Sequence, residues 1–345
     1  MLVAKSVRKL TAYTPGEQPK AKDVVKLNTN ENPYPPSPEC AKVLSGFDLD
    51  KLRRYPDPEF CELRKAIGRM VKANPENIFI GNGSDEILAL SAKAFVENDE
   101  TIGSLDPSYS LYRTLAAIRD VEWRGFGDLC DVKGEGARKL ALFLLTNPNA
   151  PTGVLKPRAE VAAFAKRFKG VVMVDEAYAD FSRENCMALA TAKDNENVIV
   201  MRTFSKSFSL AGLRVGYCVG PKPLVDALYK VKDSYNVDAV AQAVALAAVK
   251  DAKWMRANVK KVVATKRRFV AELERRGWDV MPSESNFVFA RPAHAKASVI
   301  FERLRGRHIY VRYFSGPKTA DRLRVTIGTD GQMATLLAAL DEFDR

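Results

Sequence analysis

Short apolar runs alternate with amphipathic segments between residues 75 and 220. The runs are rich in Val, Ile and Leu, which is typical of strands buried on both faces. The four clearest predicted strands are 77–80, 140–145, 171–174 and 198–201. The segments with helical spacing of apolar residues include 59–72 and 160–168. This alternation predicts an α/β fold with a mainly parallel central sheet and helices on both faces.

The pattern changes near residue 240. An Ala-rich helical segment and a long basic amphipathic helix at 253–276, ended by Gly277, precede three predicted strands and a closing helix. The three strands are 285–290, 309–312 and 322–327. We therefore predict a smaller α+β domain at 241–345, a large domain at 36–240, and an irregular arm at 1–35 that joins the small domain. The tyrosine and the amides of this Pro- and Asn-rich arm could reach a site on a neighbouring subunit, but read by itself the arm is more typical of a simple linker.

Polar residues follow the predicted strands where each strand ends. Because parallel strands present their carboxyl ends at one edge of a sheet, ligand sites gather there. The candidates at this edge are Lys206, Asp175, Tyr109, the loop 146–153 and the Gly-rich turn 81–86.

Lys206 is the candidate of greatest chemical interest. An amine at the end of a buried strand can lose solvation, drop its pKa and form a Schiff base. Ser205, Ser207 and Arg214 could hold a phosphate close by. The combination suggests a lysine that binds pyridoxal 5′-phosphate (PLP) covalently. The alternative is an ordinary solvated loop lysine.

Asp175 ends the apolar run 171–174. A buried carboxylate is costly unless a cation partners it, and the pyridinium nitrogen of PLP is such a cation. A helix cap or a structural arginine would also explain Asp175. Arg324, on a predicted strand, suits carboxylate or phosphate recognition, with a surface arginine as the alternative.

The turn 81–86 runs from a strand into a helix and offers free N–H groups to an anion. A dinucleotide-binding fingerprint would need a third glycine where Glu86 stands. A Rossmann dehydrogenase is therefore disfavoured. A cradle for a single phosphate and an ordinary turn both remain open.

Composition adds few constraints. The net charge of +12 raises the possibility of nucleic-acid binding, but nine Lys/Arg against two Glu fall within 253–276. We interpret them as the solvated face of one helix. Five scattered cysteines and two histidines argue against a disulfide framework and against a metal site. The absence of a signal-peptide core or a long apolar run favours a cytoplasmic protein without a membrane partner.

An ordered set of motifs covers almost the whole chain. They are YTPG at 13–16, NENPY at 30–34, YPD at 55–57, GSDE at 83–86, PNAPTG at 148–153, DEAY at 175–178, SK at 205–206, AGLR at 211–214 and LRVTIGT at 323–329. With them the chain resembles the fold-type I PLP enzymes, and most closely the histidinol-phosphate aminotransferases. The resemblance implies transfer of the amino group of L-histidinol phosphate to 2-oxoglutarate by a homodimer. The alternatives are an aromatic amino-acid aminotransferase and a threonine-phosphate decarboxylase of the same fold.

The resemblance also implies roles for individual residues. Lys206 would bind PLP and move protons, Asp175 would pair with the pyridine nitrogen, and Tyr178 would contact the phenolic oxygen. Tyr109 would stack on the ring. The cofactor phosphate would be held by Ser84, Asp85, Thr203, Ser205 and Arg214, with Tyr55 reaching it from the partner subunit. The substrate would be bound by Tyr13, Arg312 and Arg324.

One position departs from the family pattern. The family commonly has Asn immediately before Pro-Thr-Gly, in contact with the phenolic oxygen of the cofactor, whereas this chain has Ala150. Alanine cannot make that hydrogen bond. We expect Asn149 to replace it through a shifted loop, with Asn147 or Tyr178 alone as alternatives.

Overall fold

The computed structural model describes residues 2–3, 5–8, 10, 16–19, 23–192 and 194–343. Its strands are β1 (Val25–Lys26), β2 (Ile78–Gly81), β3 (Thr101–Leu105), β4 (Glu122–Phe126), β5 (Leu140–Thr146), β6 (Val171–Asp175), β7 (Val198–Thr203), β8 (Gly216–Val219), β9 (Asp279–Val280), β10 (Phe287–Arg291), β11 (Ile309–Tyr310), β12 (Arg312–Tyr313) and β13 (Leu323–Thr326). Its α-helices are α1 (Lys5–Arg8), α2 (Pro38–Ser45), α3 (Cys61–Val71), α4 (Ser84–Ala94), α5 (Leu111–Arg119), α6 (Arg158–Arg167), α7 (Lys222–Val231), α8 (Ala239–Lys250), α9 (Ala252–Arg275), α10 (Ala297–Gly306) and α11 (Asp330–Phe343).

The largest sheet has seven strands in the order β2-β8-β7-β6-β5-β3-β4. Only β8 runs antiparallel to its neighbours, so the other six strands end at the same edge. The register places Asp175 beside Thr146 on one side and beside Met201 on the other. The predicted parallel α/β fold is confirmed, and its strand ends collect the candidate residues at one edge.

The apolar runs form strands because both faces of the sheet are covered. On β7, Val198 and Val200 pack into one core cluster while Ile199 and Met201 pack into the cluster on the opposite face. All four side chains are fully buried. Burying an aliphatic side chain of this size contributes about 1.5–3 kcal/mol. A strand buried on both faces therefore needs a continuous apolar run rather than alternation.

Helix α9 explains much of the net charge. Its inner face buries Met255, Val259, Val262, Phe269 and Leu273, while seven of the nine basic residues in 253–276 are exposed. The predicted solvated face is therefore correct for most of the helix. It is wrong for Lys266, which is buried and whose Nζ donates hydrogen bonds of 2.7 Å to the backbone oxygens of Ser283 and Ser285.

A second sheet, in the order β12-β13-β10-β9, is antiparallel throughout. The predicted strand at 309–312 divides in two, because β11 pairs with β1 of the arm while β12 pairs with β13. As predicted for 322–327, Leu323, Val325 and Ile327 are buried, while Arg324 is only partly so.

No helix in the described ranges is long and apolar enough to cross a membrane. All five cysteines are free thiols.

Candidate active site

A cavity of about 240 Å³ lies at the carboxyl edge of the large sheet, closed by residues of the arm and by β12 and β13. It is polar at its base and contains the strand ends that the sequence singled out. Eleven of the predicted site residues line it: Ser84, Asp85, Tyr109, Asp175, Tyr178, Thr203, Ser205, Lys206, Arg214, Arg312 and Arg324.

Lys206 follows β7 and places its amine inside the cavity. Its Nζ donates a 3.0 Å hydrogen bond to the backbone oxygen of Thr29 and lies 5.9 Å from the centre of the Tyr178 ring. Burial lowers the pKa of Lys206 to about 8, with the positive charge of Arg324 acting in the same direction and Glu31 against it. A lysine with this pKa has a substantial neutral fraction near neutral pH and is therefore a competent nucleophile.

Asp175, at the end of β6, is 4% exposed. One carboxylate oxygen accepts a 3.1 Å bond from the Ala177 N–H and the other accepts a 3.1 Å bond from the Tyr112 hydroxyl. No ion pair to Asp175 occurs within the described part of the chain. Burial raises its pKa to about 7, against the two hydrogen bonds. A carboxylate in this position could form an ion pair with a cationic ring nitrogen in the cavity. Without such a partner, its burial lowers the stability of the fold.

The predicted phosphate cradle is formed by the turn before α4 and by the residues around Arg214. Gly83 has a φ of +80°, and a Cβ on it would lie 2.6 Å from the Arg214 guanidinium. A Cβ on Gly216 would lie 2.7 Å from the backbone nitrogen of Ser84. The Arg214 guanidinium also lies 3.4 Å from the Ser205 hydroxyl. Free N–H groups, a hydroxyl and a guanidinium therefore converge as an anion site requires.

Tyr109 follows β3 and borders this cradle. Its hydroxyl donates a 3.3 Å hydrogen bond to Asp85, and its ring meets the edge of Tyr112 at 5.7 Å between centroids. The ring is thereby fixed as one wall of the cavity, where a planar ligand could stack on it.

A second cavity of about 540 Å³ adjoins the first, and both are lined by Tyr109, Ala150, Arg312 and Arg324. The two arginines are directly opposite each other on β12 and β13. Arg324 donates a 2.8 Å bond to the backbone oxygen of Asn28 and lies over the Phe287 ring at 5.4 Å. Like charges opposite each other on neighbouring strands repel, so this pair suits an anionic ligand.

Two predicted residues, Asn149 and Tyr55, do not line the cavity. The structure contradicts the role expected of Asn149: its Nδ2 donates to the Pro107 oxygen (3.0 Å) and the Thr152 hydroxyl (2.9 Å), while its Oδ1 accepts from Ser108 (2.8 Å). Both amide hydrogens are used, one within the loop by Thr152 and one by Pro107 in the connection after β3. Tyr55 is 80% exposed and stacks on Tyr235 at 4.3 Å. Tyr13 lies outside the described residues.

The sequence reasoning missed the arm. Asn28, Thr29, Asn30 and Glu31 line the cavity, so the linker interpretation is wrong for this stretch. The clustered amides of this stretch are the sequence feature that could have indicated a structural role. A linker rarely buries Asn, whereas Asn28 and Asn30 are 2% and 1% exposed.

These features together define a class of protein. Three features lie around one cavity: a lysine with a lowered pKa, a buried carboxylate that has no cationic partner among the described residues, and an anion cradle. They match the aldehyde, the ring nitrogen and the phosphate of PLP, so the residues present fit this cofactor. The site is that of a PLP enzyme built on a mainly parallel α/β sheet.

Comparison with known proteins identifies the family. The aminotransferase class I and II family matches residues 22–340. The chain is 42% identical to a histidinol-phosphate aminotransferase of Acetobacter pasteurianus over 97% of this chain and 95% of that protein. It is 43% identical to histidinol-phosphate aminotransferase 2 of Rhizobium meliloti over 97% of both chains. The chain therefore belongs to the class I and II aminotransferases, and within them to the histidinol-phosphate aminotransferase family.

A solved structure agrees in fold. The histidinol-phosphate aminotransferase from Sinorhizobium meliloti, in complex with pyridoxal-5′-phosphate, covers 99% of this chain and 97% of its own, with a TM-score of 0.90 and 25% identity. The predicted resemblance and cofactor class are confirmed.

Proposed function

We propose that this chain transfers the amino group of L-histidinol phosphate to 2-oxoglutarate, giving imidazole acetol phosphate and glutamate. The observation that carries the proposal is the placement of Lys206 and Asp175 in one cavity beneath the Arg312–Arg324 pair. The relatives named histidinol-phosphate aminotransferase support the choice of substrate.

When bound, PLP supplies an aldehyde that carries the amino group and a ring that withdraws electrons from the reacting carbon. Lys206 Nζ would hold the cofactor through its aldehyde carbon and, as a free amine, would accept a proton from the amine-bearing carbon of the substrate. Asp175 would keep the ring nitrogen protonated, and Tyr178 would donate to the phenolic oxygen. Thr203, Ser205 and Arg214 would hold the phosphate with the N–H groups of Ser84 and Asp85, and Tyr109 would stack on the ring.

The two arginines determine the choice of substrate. Histidinol phosphate carries a phosphate ester where an amino acid carries its carboxylate, and 2-oxoglutarate carries carboxylates. A rigid guanidinium fork on β13 can bind either anion in turn. Arg312 adds a second positive charge, and Tyr13 of the arm completes the substrate side.

We further propose a homodimer with shared active sites. Four exposed apolar side chains, Leu44, Leu49, Leu52 and Tyr55, fall between residues 44 and 55, and Tyr55 lies outside its own cavity. Exposed apolar groups at this density favour a protein interface. Five free cysteines support a reducing, cytoplasmic compartment.

The proposed division of the chain is an arm (1–35), a large domain (36–240) and a small domain (241–345). It is supported by the two separate sheets and by the pairing of β1 with β11.

Initial-rate kinetics with a panel of amino donors test the function. We expect kcat/KM for L-histidinol phosphate to exceed those for phenylalanine and tyrosine by about 10- to 150-fold, the equivalent of roughly 1.5–3 kcal/mol, because a phosphate offers the two guanidinium groups more charge and more acceptor oxygens than a carboxylate does. Equal values would favour an aromatic aminotransferase. Release of CO2 from threonine phosphate without amino transfer would favour the decarboxylase.

A further inference from the structure

Ala150 leaves an apolar wall where an amide would otherwise contact the cofactor. Its side chain packs with Tyr178 and Phe287 in a small buried cluster. The neighbouring Asn149 is held by three hydrogen bonds, one to Thr152 of its own loop and two to Ser108 and Pro107 in the connection after β3. The loop that carries both residues therefore offers no amide to this part of the cavity.

Asn30 supplies an amide from the opposite side. Its Nδ2 donates a 3.0 Å hydrogen bond to the Tyr178 hydroxyl, and both side chains are buried. The Asn30 N–H donates to the Thr326 hydroxyl at 3.0 Å, which in turn donates to Asn30 Oδ1 at 2.9 Å. The Asn286 amide donates to the Asn30 backbone oxygen at 3.0 Å. Thr326 of β13 thus fixes the oxygen of the side-chain amide, and Asn286, which precedes β10, fixes the backbone of Asn30.

The backbone at Asn30 also favours this residue type. Its φ is +56°, in the left-handed region that asparagine tolerates better than most residues. Because Thr326 occupies Oδ1, the amide nitrogen faces Tyr178. The orientation of the donor is therefore determined by the surrounding hydrogen bonds.

Because Asn30 donates to the Tyr178 oxygen, the direction in which the Tyr178 hydroxyl donates its own hydrogen is also determined. An amide N–H only donates, so the Tyr178 oxygen is the acceptor and its single hydrogen has to point elsewhere. Tyr178 lines the cavity, where the phenolic oxygen of PLP would be an acceptor. A hydroxyl that accepts one hydrogen bond is also a stronger donor in the next.

The charged groups around Tyr178 shift the pKa of its hydroxyl in both directions. Burial raises the pKa of the Tyr178 hydroxyl, the charge of Arg324 and the hydrogen bond with Asn30 lower it, and Asp175 and Asp85 raise it. The amine of Lys206 lies 5.9 Å from the centre of the ring. Among the described residues, Asn30 donates a direct hydrogen bond to the Tyr178 hydroxyl, whereas the charged groups act on it from a distance.

We propose that Asn30 is a positioning residue, which makes Tyr178 a hydrogen-bond donor to the phenolic oxygen of PLP and so replaces the amide missing at Ala150. This inference rests on the proposed function, because it requires PLP in the cavity. It assigns a role to the arm beyond closing the site.

Spectroscopic titration of the PLP-bound protein tests it. Loss of a donor to the phenolic oxygen destabilises its anionic form, so the pH midpoint of the visible absorption band rises. In Asn30→Gly, which tolerates the positive φ, we expect a rise of at least about 0.5 pH unit and at least threefold weaker PLP binding. Asn30→Asp replaces the donor with an acceptor of the same shape, which would turn the Tyr178 hydrogen away from the cavity. We expect a larger rise in that variant.

Two further variants separate positioning from a structural role. In a Tyr178→Phe background, Asn30→Gly should move the midpoint by less than 0.2 pH unit, because Asn30 acts through that hydroxyl. Adding Ala150→Asn to Asn30→Gly should restore at least half of the lost shift. An unchanged midpoint in both Asn30 variants, or an equal shift without the Tyr178 hydroxyl, overturns the inference. If wild-type protein takes up no PLP at all, the proposed function itself fails.

Discussion

Asp175→Asn should stabilise the protein without cofactor while weakening the binding of PLP. The substitution keeps the shape of the side chain and removes its charge. The amide oxygen can still accept from the Ala177 N–H, and the amide nitrogen can donate to the Tyr112 oxygen, because a hydroxyl both donates and accepts. The change is therefore mainly one of charge.

The expected magnitude follows from the pKa. A rise from 3.8 to about 7 corresponds, at about 1.4 kcal/mol per unit of pKa, to about 4 kcal/mol. Because the folded-state pKa lies above the unfolded one, the carboxylate lowers the free energy of unfolding at high pH. This penalty is absent below pH 3.8, grows between the two pKa values, and is complete above pH 7. At pH 5 it amounts to about 2 kcal/mol.

Urea denaturation of cofactor-free protein at pH 5 and pH 8 measures the effect. We expect Asp175→Asn to be more stable than wild type at both values, and by more at pH 8. With PLP present this stabilisation should shrink, since the ring nitrogen loses its ionic partner; PLP binding that is about tenfold weaker removes about 1.4 kcal/mol of it at saturating PLP.

Asp128→Asn is a matched control, in which the same substitution should change the free energy of unfolding in the opposite direction. A hydrogen bond from Lys156 holds the pKa of Asp128 below its ordinary value, so the substitution should destabilise the protein at pH 8 whether or not PLP is present. A cofactor-free Asp175→Asn protein that is less stable than wild type at pH 8 would refute the reasoning, as would unchanged affinity for PLP.

Three other variants test separate parts of the account. Arg324→Ala should raise KM for L-histidinol phosphate and for 2-oxoglutarate alike, by about 10- to 150-fold in steady-state assays; an effect on only one of them would refute a shared anion site. Gly216→Ala should weaken PLP binding about tenfold, measured by fluorescence titration, because the added Cβ would lie 2.7 Å from the Ser84 nitrogen and displace the turn before α4. A variant that binds PLP as tightly as the wild type would contradict the close approach of this turn to Gly216. Burial lowers the pKa of Lys266 to about 8, so the free energy of unfolding of the wild type should rise between pH 8 and 10.5. If Lys266→Met shows the same rise with pH, Lys266 is not its cause.

The fold could be predicted because the strands are buried on both faces. A run such as Val198–Met201 contains no polar residue, and the alternation of such runs with helices implies parallel strands. Once the strands were parallel, the residues that follow them had to meet at one edge. Eleven of the predicted site residues were located by this argument and by the family motifs.

The remaining residues depend on contacts that no local pattern encodes. Asn30 approaches Tyr178, 148 positions away in sequence, only because Thr326 of β13 and Asn286, which precedes β10, hold the arm against the site. The orientation of Asn149 depends on Ser108 and Pro107, which belong to a different strand connection. The burial of Lys266 depends on two carbonyl groups that follow β9. In each case the tertiary partner determines the outcome.

The central claim is that the Lys206 amine binds the aldehyde carbon of PLP. Borohydride reduction of the PLP-loaded protein, followed by proteolysis and peptide mass spectrometry, tests it most directly. The account predicts one pyridoxyl-phosphate adduct per chain, on the peptide that contains Lys206, and its loss in Lys206→Ala. An adduct on any other lysine, or none on wild-type protein incubated with excess PLP, would contradict it.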